Sequence, residues 1–272
     1  MRAVLTIASA SILEHRRRKL IGFFVVATLA IVAGLIYLTL NTDLGATLVN
    51  AAVGMATIAS VGLLPAMTVL AAIAVSMNNV GRPFADGEAA LILARPVARW
   101  QFVLGRLLGS IAVIVGLCAL MALLATSVGT IDQSGVNPDV LGHWAVTAFN
   151  LSLLAGIVTF MSTLIGHPLI AAFSGYLLYA AATPVSALYV LVSNGNVTGG
   201  PAAVITAAWF ITPKKLLSPL SQSGAAAESG IGSSVADGVL LAGNGARFGW
   251  ALAYLAVAVT LSFLIAERKE VS

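Results

Sequence analysis

The side chains that could do chemistry in this sequence are concentrated in one short segment, Asn78 to Arg106, which reads NNVGRPFADGEAALILARPVARWQFVLGR. Within it, Asp86 can cap a short helix, Glu88 favours the first turn of that helix, and Pro96 ends it. A helix of about two turns with leucines on its body must hide its apolar face. The bilayer interface and a groove of a partner protein both suit it, and the residues alone leave the choice open.

Elsewhere the sequence offers few groups for catalysis or metal binding. Its single cysteine, Cys118, lies in an apolar run, so neither an intrachain disulfide nor a cysteine-based metal site is available. The sequence has no HExxH motif, no paired intramembrane carboxylates and no G-x-x-x-x-G-K-[ST] nucleotide loop. The nearest string to that loop, GRLLGS at Gly105 to Ser110, lacks its spacing and its lysine. We therefore expect no catalytic residue, metal site or cofactor on this chain.

The composition is that of a membrane protein. Of the 272 residues, 59% are hydrophobic and 9% are charged, against about 25% charged in an average soluble domain, and the mean hydropathy is +1.00. The 14 basic and 10 acidic side chains are too few to cover a soluble globule of this size. This excludes a soluble enzyme, a nucleic-acid-binding domain and a disordered chain, and it predicts an all-α polytopic membrane protein.

Six segments are long and apolar enough to cross a hydrocarbon core, which needs roughly 20 residues of helix. They lie at about residues 20–40, 50–77, 102–126, 144–166, 169–192 and 248–266. Pro65 in the middle of the second predicts a kink. Residues 193–247 form a long loop, in which the apolar run 201–211 is too short to span and suits an interfacial or re-entrant element.

The N-terminal segment, residues 1–19, carries apolar residues at helical spacing. This pattern favours an interfacial helix lying flat on the bilayer; the alternative is a tail whose helix merges into the first span. With the N-terminus cytoplasmic, 11 of the 14 Lys and Arg residues fall in inside segments and 3 fall outside. The positive-inside rule therefore places both termini in the cytoplasm.

Every acidic residue falls in a loop or a tail by this assignment, and so does every basic residue except Arg106, at the start of the third span. Because ion-coupled carriers usually need an intramembrane Asp, Glu or His, the sequence disfavours such coupling, although backbone carbonyls at a broken helix would still allow it. The pair Gly105-x-x-x-Gly109 near the start of the third span permits close helix approach, a weak signal in a glycine-rich chain.

The segment Asp86 to Arg106 resembles the signature loop of ABC-2-type transporter permeases. In that family an acidic residue precedes a short leucine-rich helix, followed by an R-P-V-[SA]-R-like turn and a G-[KR] dipeptide that opens the third span. The matching positions are Glu88, Leu91, Leu93, Arg95, Pro96, Arg99, Gly105 and Arg106. The six spans and the long loop before the last one extend the likeness to small permeases such as that of the nitrous-oxide-reductase maturation exporter.

The resemblance implies a type V exporter-like fold in which two permease copies, identical or related, surround a central path. Each copy would dock on a separate ABC-type ATPase that holds ATP and Mg²⁺. The loop 84–100 would carry the coupling helix, about Gly87 to Ala94, in a groove of that ATPase. The residues expected to mediate this coupling are Asp86, Glu88, Leu91, Leu93, Arg95 and Arg99.

The same resemblance places the second and fifth spans at the path or the dimer interface. The candidates there are Pro65 and Met67 in one span and Tyr176 and Tyr179 in the other. For Met67, packing is favoured over contact with a substrate, and Tyr179 suits an anchor at the outer interface. Arg95 and Arg99 suit contacts to lipid phosphate as well as to an ATPase.

The function predicted from the sequence is thus a permease subunit of an ABC exporter in the inner or plasma membrane, in contact with lipids and not with nucleic acid. One alternative is a membrane scaffold that transmits ATPase force to a partner without moving solute. The other is an ion-coupled secondary carrier. The weakly polar spans suit an amphipathic or lipid-like substrate at least as well as a small ion.

Overall fold

The computed structural model describes residues 2–17, 19–41, 63–80, 83, 97–131, 138–165, 167–193, 195–216 and 243–268. These residues are helical with no strand, as the sequence predicts. The helices, in chain order, are α1 (Arg2–Arg17), α2 (Leu20–Asn41), α3 (Leu63–Ser76), α4 (Arg99–Ile131), α5 (Pro138–Ile165), α6 (Pro168–Ser193), α7 (Gly200–Ile211) and α8 (Gly243–Arg268).

Within the described residues, four helices are long and apolar enough to cross a membrane: 99–127 within α4, α5, α6, and 247–268 within α8. They contain the third to sixth predicted spans. The first two predicted spans correspond to α2 and α3, whose described apolar stretches, 22–34 and 64–76, are shorter. Residues 50–62, the first half of the second predicted span, lie outside the described residues.

Local chemistry explains where several helices begin. Proline opens both α5 and α6, where the missing amide hydrogen costs no helical bond, and Asp139 complements the helix dipole at the start of α5. Gly199 precedes α7 with a φ of 75°, a conformation that glycine adopts without a Cβ clash. Helix α1 ends at Arg17, and Lys19 has a φ of 57° before α2 begins. The N-terminal helix is therefore separate and does not merge into the first span.

The chain divides into two compact units, and the first holds residues 1–75 and 104–155 together with 218–220. In this unit α1 lies against the first turns of α4. A Cβ added to Gly109 would stand 2.8 Å from the Ser11 Cβ and 2.9 Å from the Ala8 carbonyl oxygen. The Gly105-x-x-x-Gly109 pair therefore lets α1 lie close against α4. On the face of α1 predicted to meet lipid, Val4 and Ser11 are buried, whereas Ile12 is 37% exposed.

A buried ion pair and an apolar cluster complete the first unit. Arg106 of α4 lies 3.2 Å from the Glu14 carboxylate of α1, and the arginine side chain is only 8% exposed. Helices α2, α3 and α4 meet in a core cluster formed by Phe24, Ala71, Val75, Val113 and Leu117. The Arg106–Glu14 pair holds α1 against α4 beside Gly105 and Gly109, the two glycines of α4 that allow the helices to approach closely.

The second unit holds residues 76–103, 156–217 and 221–272. Two glycines of its helices again permit close packing: a Cβ on Gly175 of α6 would stand 2.8 Å from the Val158 side chain, and one on Gly156 would collide with Leu255 of α8. Helix α7 packs along α6. This unit contains both ends of the segment predicted to bind an ATPase.

Candidate functional site

The predicted coupling segment can be described through its two ends. Asp86, Glu88, Leu91, Leu93 and Arg95 lie outside the residues that the structure describes, whereas Arg99 is described. The chain is described up to Val80, at residue 83 alone, and again from Val97. What holds these two ends determines how any movement of the intervening residues reaches the spanning helices.

The N-terminal end of the segment is held on α5 by hydrogen bonds. After α3 ends, the Asn79 side-chain amide donates to the Thr159 hydroxyl oxygen at 3.1 Å, and both side chains are almost fully buried. The Ser162 hydroxyl donates to the Met77 carbonyl at 3.5 Å. Because opening such bonds without water leaves buried polar groups unsatisfied, this end is firmly attached to α5.

The C-terminal end of the segment is held on the last turn of α8. One guanidinium nitrogen of Arg99, Nη1, donates to the Ala266 carbonyl at 3.1 Å and to the Glu267 carbonyl at 2.9 Å. Trp100 packs edge-on against Phe263, with the ring centroids 6.5 Å apart. The last carbonyls of a helix lack intrahelical donors and form the negative end of its dipole, so a cation from another helix caps them well.

The two ends thus join the segment to two different long apolar helices. Arg99 has a defined structural partner within the chain, and its predicted role toward an ATPase or lipid phosphate stays a prediction. Among the described residues no three His, Cys, Asp or Glu side chains come together as a metal site would require.

The predicted path residues lie on two helices. On α3, Pro65 is the third residue of the described helix, and its carbonyl accepts a 2.8 Å hydrogen bond from Thr68. The predicted kink at Pro65 stays a prediction, because residues 50–62 lie outside the described residues. Met67 is half-buried. On α6, Tyr176 is 40% exposed whereas Tyr179 is 8% exposed. The tyrosines therefore differ in environment despite sharing a helix.

Tyr179 is covered by a lysine from the segment that follows α7. Helix α7 runs back along α6, and Trp209 near its end stacks on Tyr189 with a centroid separation of 4.4 Å. Beyond it, the Lys215 ammonium lies 3.9 Å from the Tyr179 ring centroid and donates to the Thr183 hydroxyl at 3.3 Å. Tyr179 is the twelfth of the 26 residues of α6, about 17 Å from its start at 1.5 Å per residue.

A second lysine and an arginine stand beside the first. Lys214 is 5% exposed, and its ammonium lies 3.7 Å from the Trp209 ring centroid while donating to the Trp209 carbonyl. Arg247 of α8 donates to the Lys215 carbonyl at 3.4 Å. Burial lowers the pKa of Lys214 to about 8, with a further contribution from the positive charge of Arg247. Burial likewise lowers the pKa of Lys215 to about 8.

No model of a known protein family matches this chain, and no curated protein matches it. The likeness to ABC-2 permeases therefore rests on the sequence features described above.

The sequence analysis missed the lysine cluster for a definite reason. Lys214 and Lys215 belong to a loop, as expected, but the preceding helix folds back and carries the ammonium of Lys215 to the middle of α6. The short apolar run that ends in WFITPKK was the available signal. It predicted a re-entrant element without indicating which level of the neighbouring helix its lysines would reach.

Proposed function

We propose that the chain is the permease subunit of an ATP-binding-cassette exporter, with six spans and an ABC-2-type fold. The observation that carries this proposal is the attachment of the 81–96 segment at both ends to different spanning helices, through Asn79 to α5 and through Arg99 to α8. A short apolar helix mounted in this way converts a push from a partner into movement of two helices at once.

The N-terminal helix supplies a second route for the same force. Glu14 pairs with Arg106 at the start of α4, and α1 sits on the two glycines beside it. A partner that touches both α1 and the 81–96 segment would therefore act on α4, α5 and α8. This supports a mechanical role for the side of the protein that the charge distribution assigns to the cytoplasm.

In this proposal the chain hydrolyses nothing itself. A separate ATPase subunit binds ATP and Mg²⁺, two permease copies enclose the path, and both termini face the cytoplasm of an inner or plasma membrane. Pro65, Met67, Tyr176 and Tyr179 would line the path or the dimer interface, and the exposed apolar residues of the helices would meet lipid.

Co-purification tests the proposal directly. Tagged full-length chain isolated from its native membranes in mild detergent should bring down a protein with ATP-binding-cassette motifs. Leu91→Asp should abolish that recovery, because it places a carboxylate on the apolar face of the proposed coupling helix. Val271→Asp adds the same charge to the C-terminal tail and serves as the matched control. Recovery unchanged by Leu91→Asp would refute the docking assignment.

Single-cysteine labelling tests the topology. In a Cys118→Ser background, cysteines introduced at Ala98 and at Asn196 should react on opposite sides of the membrane with an impermeant maleimide. Six spans with a cytoplasmic N-terminus require Asn196→Cys to label from outside and Ala98→Cys to label only after the membrane is opened. Labelling of both from the same side would contradict the span count.

One observation favours a second candidate, an ion-coupled carrier. Lys215 places a titratable group beside the midpoint of α6, and ionisable groups at such depth often take part in coupling. Transport in vesicles distinguishes the two: a carrier works with an ion gradient and no nucleotide, whereas the proposed exporter requires its ATPase and ATP.

A further inference from the structure

Three cationic side chains of the second unit meet around α6, α7 and α8. Lys215 touches Tyr179 and Thr183, Lys214 lies on Trp209, and Arg247 reaches the Lys215 backbone. Within the described part of the chain, no carboxylate forms an ion pair with any of the three. This lysine–arginine cluster therefore concentrates positive charge beside the midpoint of an apolar helix.

The tyrosine and tryptophan rings compensate that charge only in part. A cation over an aromatic face gains about 0.5–2 kcal/mol, which is small against the cost of removing an ammonium from water. Each ammonium also has three donors, and contacts among the described residues account for one donor of Lys214 and one of Lys215. One anion placed among the three cations accepts hydrogen bonds from the remaining donors and offsets the mutual repulsion of the cations.

Apolar and aromatic surface adjoins the cluster. Phe210 packs against Trp250 with a centroid separation of 6.0 Å, and Phe210 is 53% exposed. Phe248, which directly follows Arg247 on α8, is also exposed. A ligand that places an anionic group on the lysines therefore has rings nearby against which an apolar tail can lie.

We propose that Lys214, Lys215 and Arg247 form a binding site for the phosphate-type head group of an amphipathic anion, with its tail against Phe210 and Trp250. The head group can come from a membrane phospholipid or from an anionic amphipath that the protein moves. The inference stands on the described contacts and does not depend on which energy source drives transport.

A purely structural role for the lysines is the main competing explanation, since cation–π contacts also fasten α7 to α6. The two explanations differ in what a ligand does. A structural lysine affects folding whether or not an anion is present, whereas a binding lysine sets the affinity for the anion. Lys214→Met and Lys215→Met separate the two, because a variant that stays folded but loses anion binding shows that the charge serves the ligand. Lys214→Arg and Lys215→Arg keep the charge and serve as controls.

The test uses the full chain in phosphatidylcholine nanodiscs and dodecyl phosphate as the probe, with binding followed by tryptophan fluorescence. Wild-type protein should bind saturably, Lys214→Met and Lys215→Met should each weaken binding at least tenfold, and the arginine variants should retain most of it. Arg17→Met, which removes an exposed cation of α1, should bind as wild type does. Size-exclusion profiles and melting temperatures verify that each variant is folded.

Competition then identifies the source of the head group. Displacement of dodecyl phosphate when phosphatidylglycerol replaces part of the nanodisc lipid indicates a lipid site. Undiminished binding under that condition indicates a site for a transported amphipath, and either result supports the proposed chemistry. Equal affinity in wild type and in folded lysine-to-methionine variants would overturn it.

Binding that appears only after Glu228→Gln and Asp237→Asn would also overturn the proposal, because the chain's own carboxylates would then be the anions that neutralise the cluster.

Discussion

Replacing Gly109 with alanine adds one methyl group at a point where α1 approaches α4 closely. The new Cβ would stand 2.8 Å from the Ser11 Cβ and 2.9 Å from the Ala8 carbonyl oxygen. The carbonyl belongs to the backbone of α1, so no side-chain rotation relieves the contact and the helix itself must move. Restoring an ordinary 3.4 Å separation requires a displacement of about 0.6 Å.

Gly116 provides a matched control on the same helix. A Cβ there meets nothing within 4 Å. Both substitutions replace glycine with alanine inside α4 and gain the same helix propensity, about 1 kcal/mol. The difference between them is therefore the cost of overpacking at Gly109, about 1–3 kcal/mol. If that cost falls on the docking of α1, its opening equilibrium increases about 5- to 150-fold relative to the Gly116→Ala variant.

Hydrogen exchange of the full chain in nanodiscs measures this difference. Peptides from α1 should exchange faster in Gly109→Ala than in wild type, while Gly116→Ala should leave them unchanged and raise the melting temperature. The same variants, assayed with the partner ATPase, would show whether loosening α1 weakens ATPase stimulation. Equal hydrogen exchange of α1 in the two alanine variants would refute the inference that α1 packs closely against α4 at Gly109.

Three other perturbations have defined outcomes. Glu14→Ala removes the carboxylate beside the buried Arg106 side chain and should lower the free energy of unfolding by about 1–3 kcal/mol. The effect is smaller than for a fully buried pair because Glu14 is partly exposed. In the same thermal-unfolding assay, Glu267→Ala, which changes an exposed residue, should alter this free energy by less than about 0.5 kcal/mol. Arg99→Met removes the donor to two carbonyls at the end of α8 and should speed hydrogen exchange in the last turn of α8 about 5- to 10-fold, with Arg99→Lys intermediate. Exchange as slow as in wild type would show that Arg99 does not cap α8. Because folding lowers the pKa of Lys215 from 10.5 to about 8, the unfolded chain binds more protons between those values and stability should rise with pH in that window; melting temperatures from pH 7.5 to 10.5 should show a smaller rise in Lys215→Met.

The pH dependence of ligand binding has the opposite sign to that of stability. Among the described residues, the ionisable groups that the contacts place at the cluster are Lys214, Lys215 and Arg247, together with Tyr179 beneath the Lys215 ammonium. Dodecyl phosphate gains negative charge as pH rises, so weaker binding at pH 9.5 than at pH 7 must come from the protein. The expected loss follows the neutralisation of the two lysines near pH 8.

The predicted spans illustrate what could be read from the sequence. The third to sixth coincide with long apolar helices, because hydropathy over about 20 residues is a local property of the chain. The first two correspond to α2 and α3, and the count of six stays a prediction. Helix α1 was expected, but its covered face was not, since an amphipathic stripe does not specify whether lipid or another helix lies against it.

What the sequence by itself determined is composition-level and local: a helical membrane protein and the positions of its long apolar helices. The tertiary structure decided which distant residues meet. Asn79 finds Thr159 across 80 positions, and Arg99 finds the end of α8 across 167. Lys215, a loop residue by sequence, reaches the middle of α6 because α7 folds back along it. Helix formation depends on neighbours along the chain, whereas these contacts depend on how the helices pack.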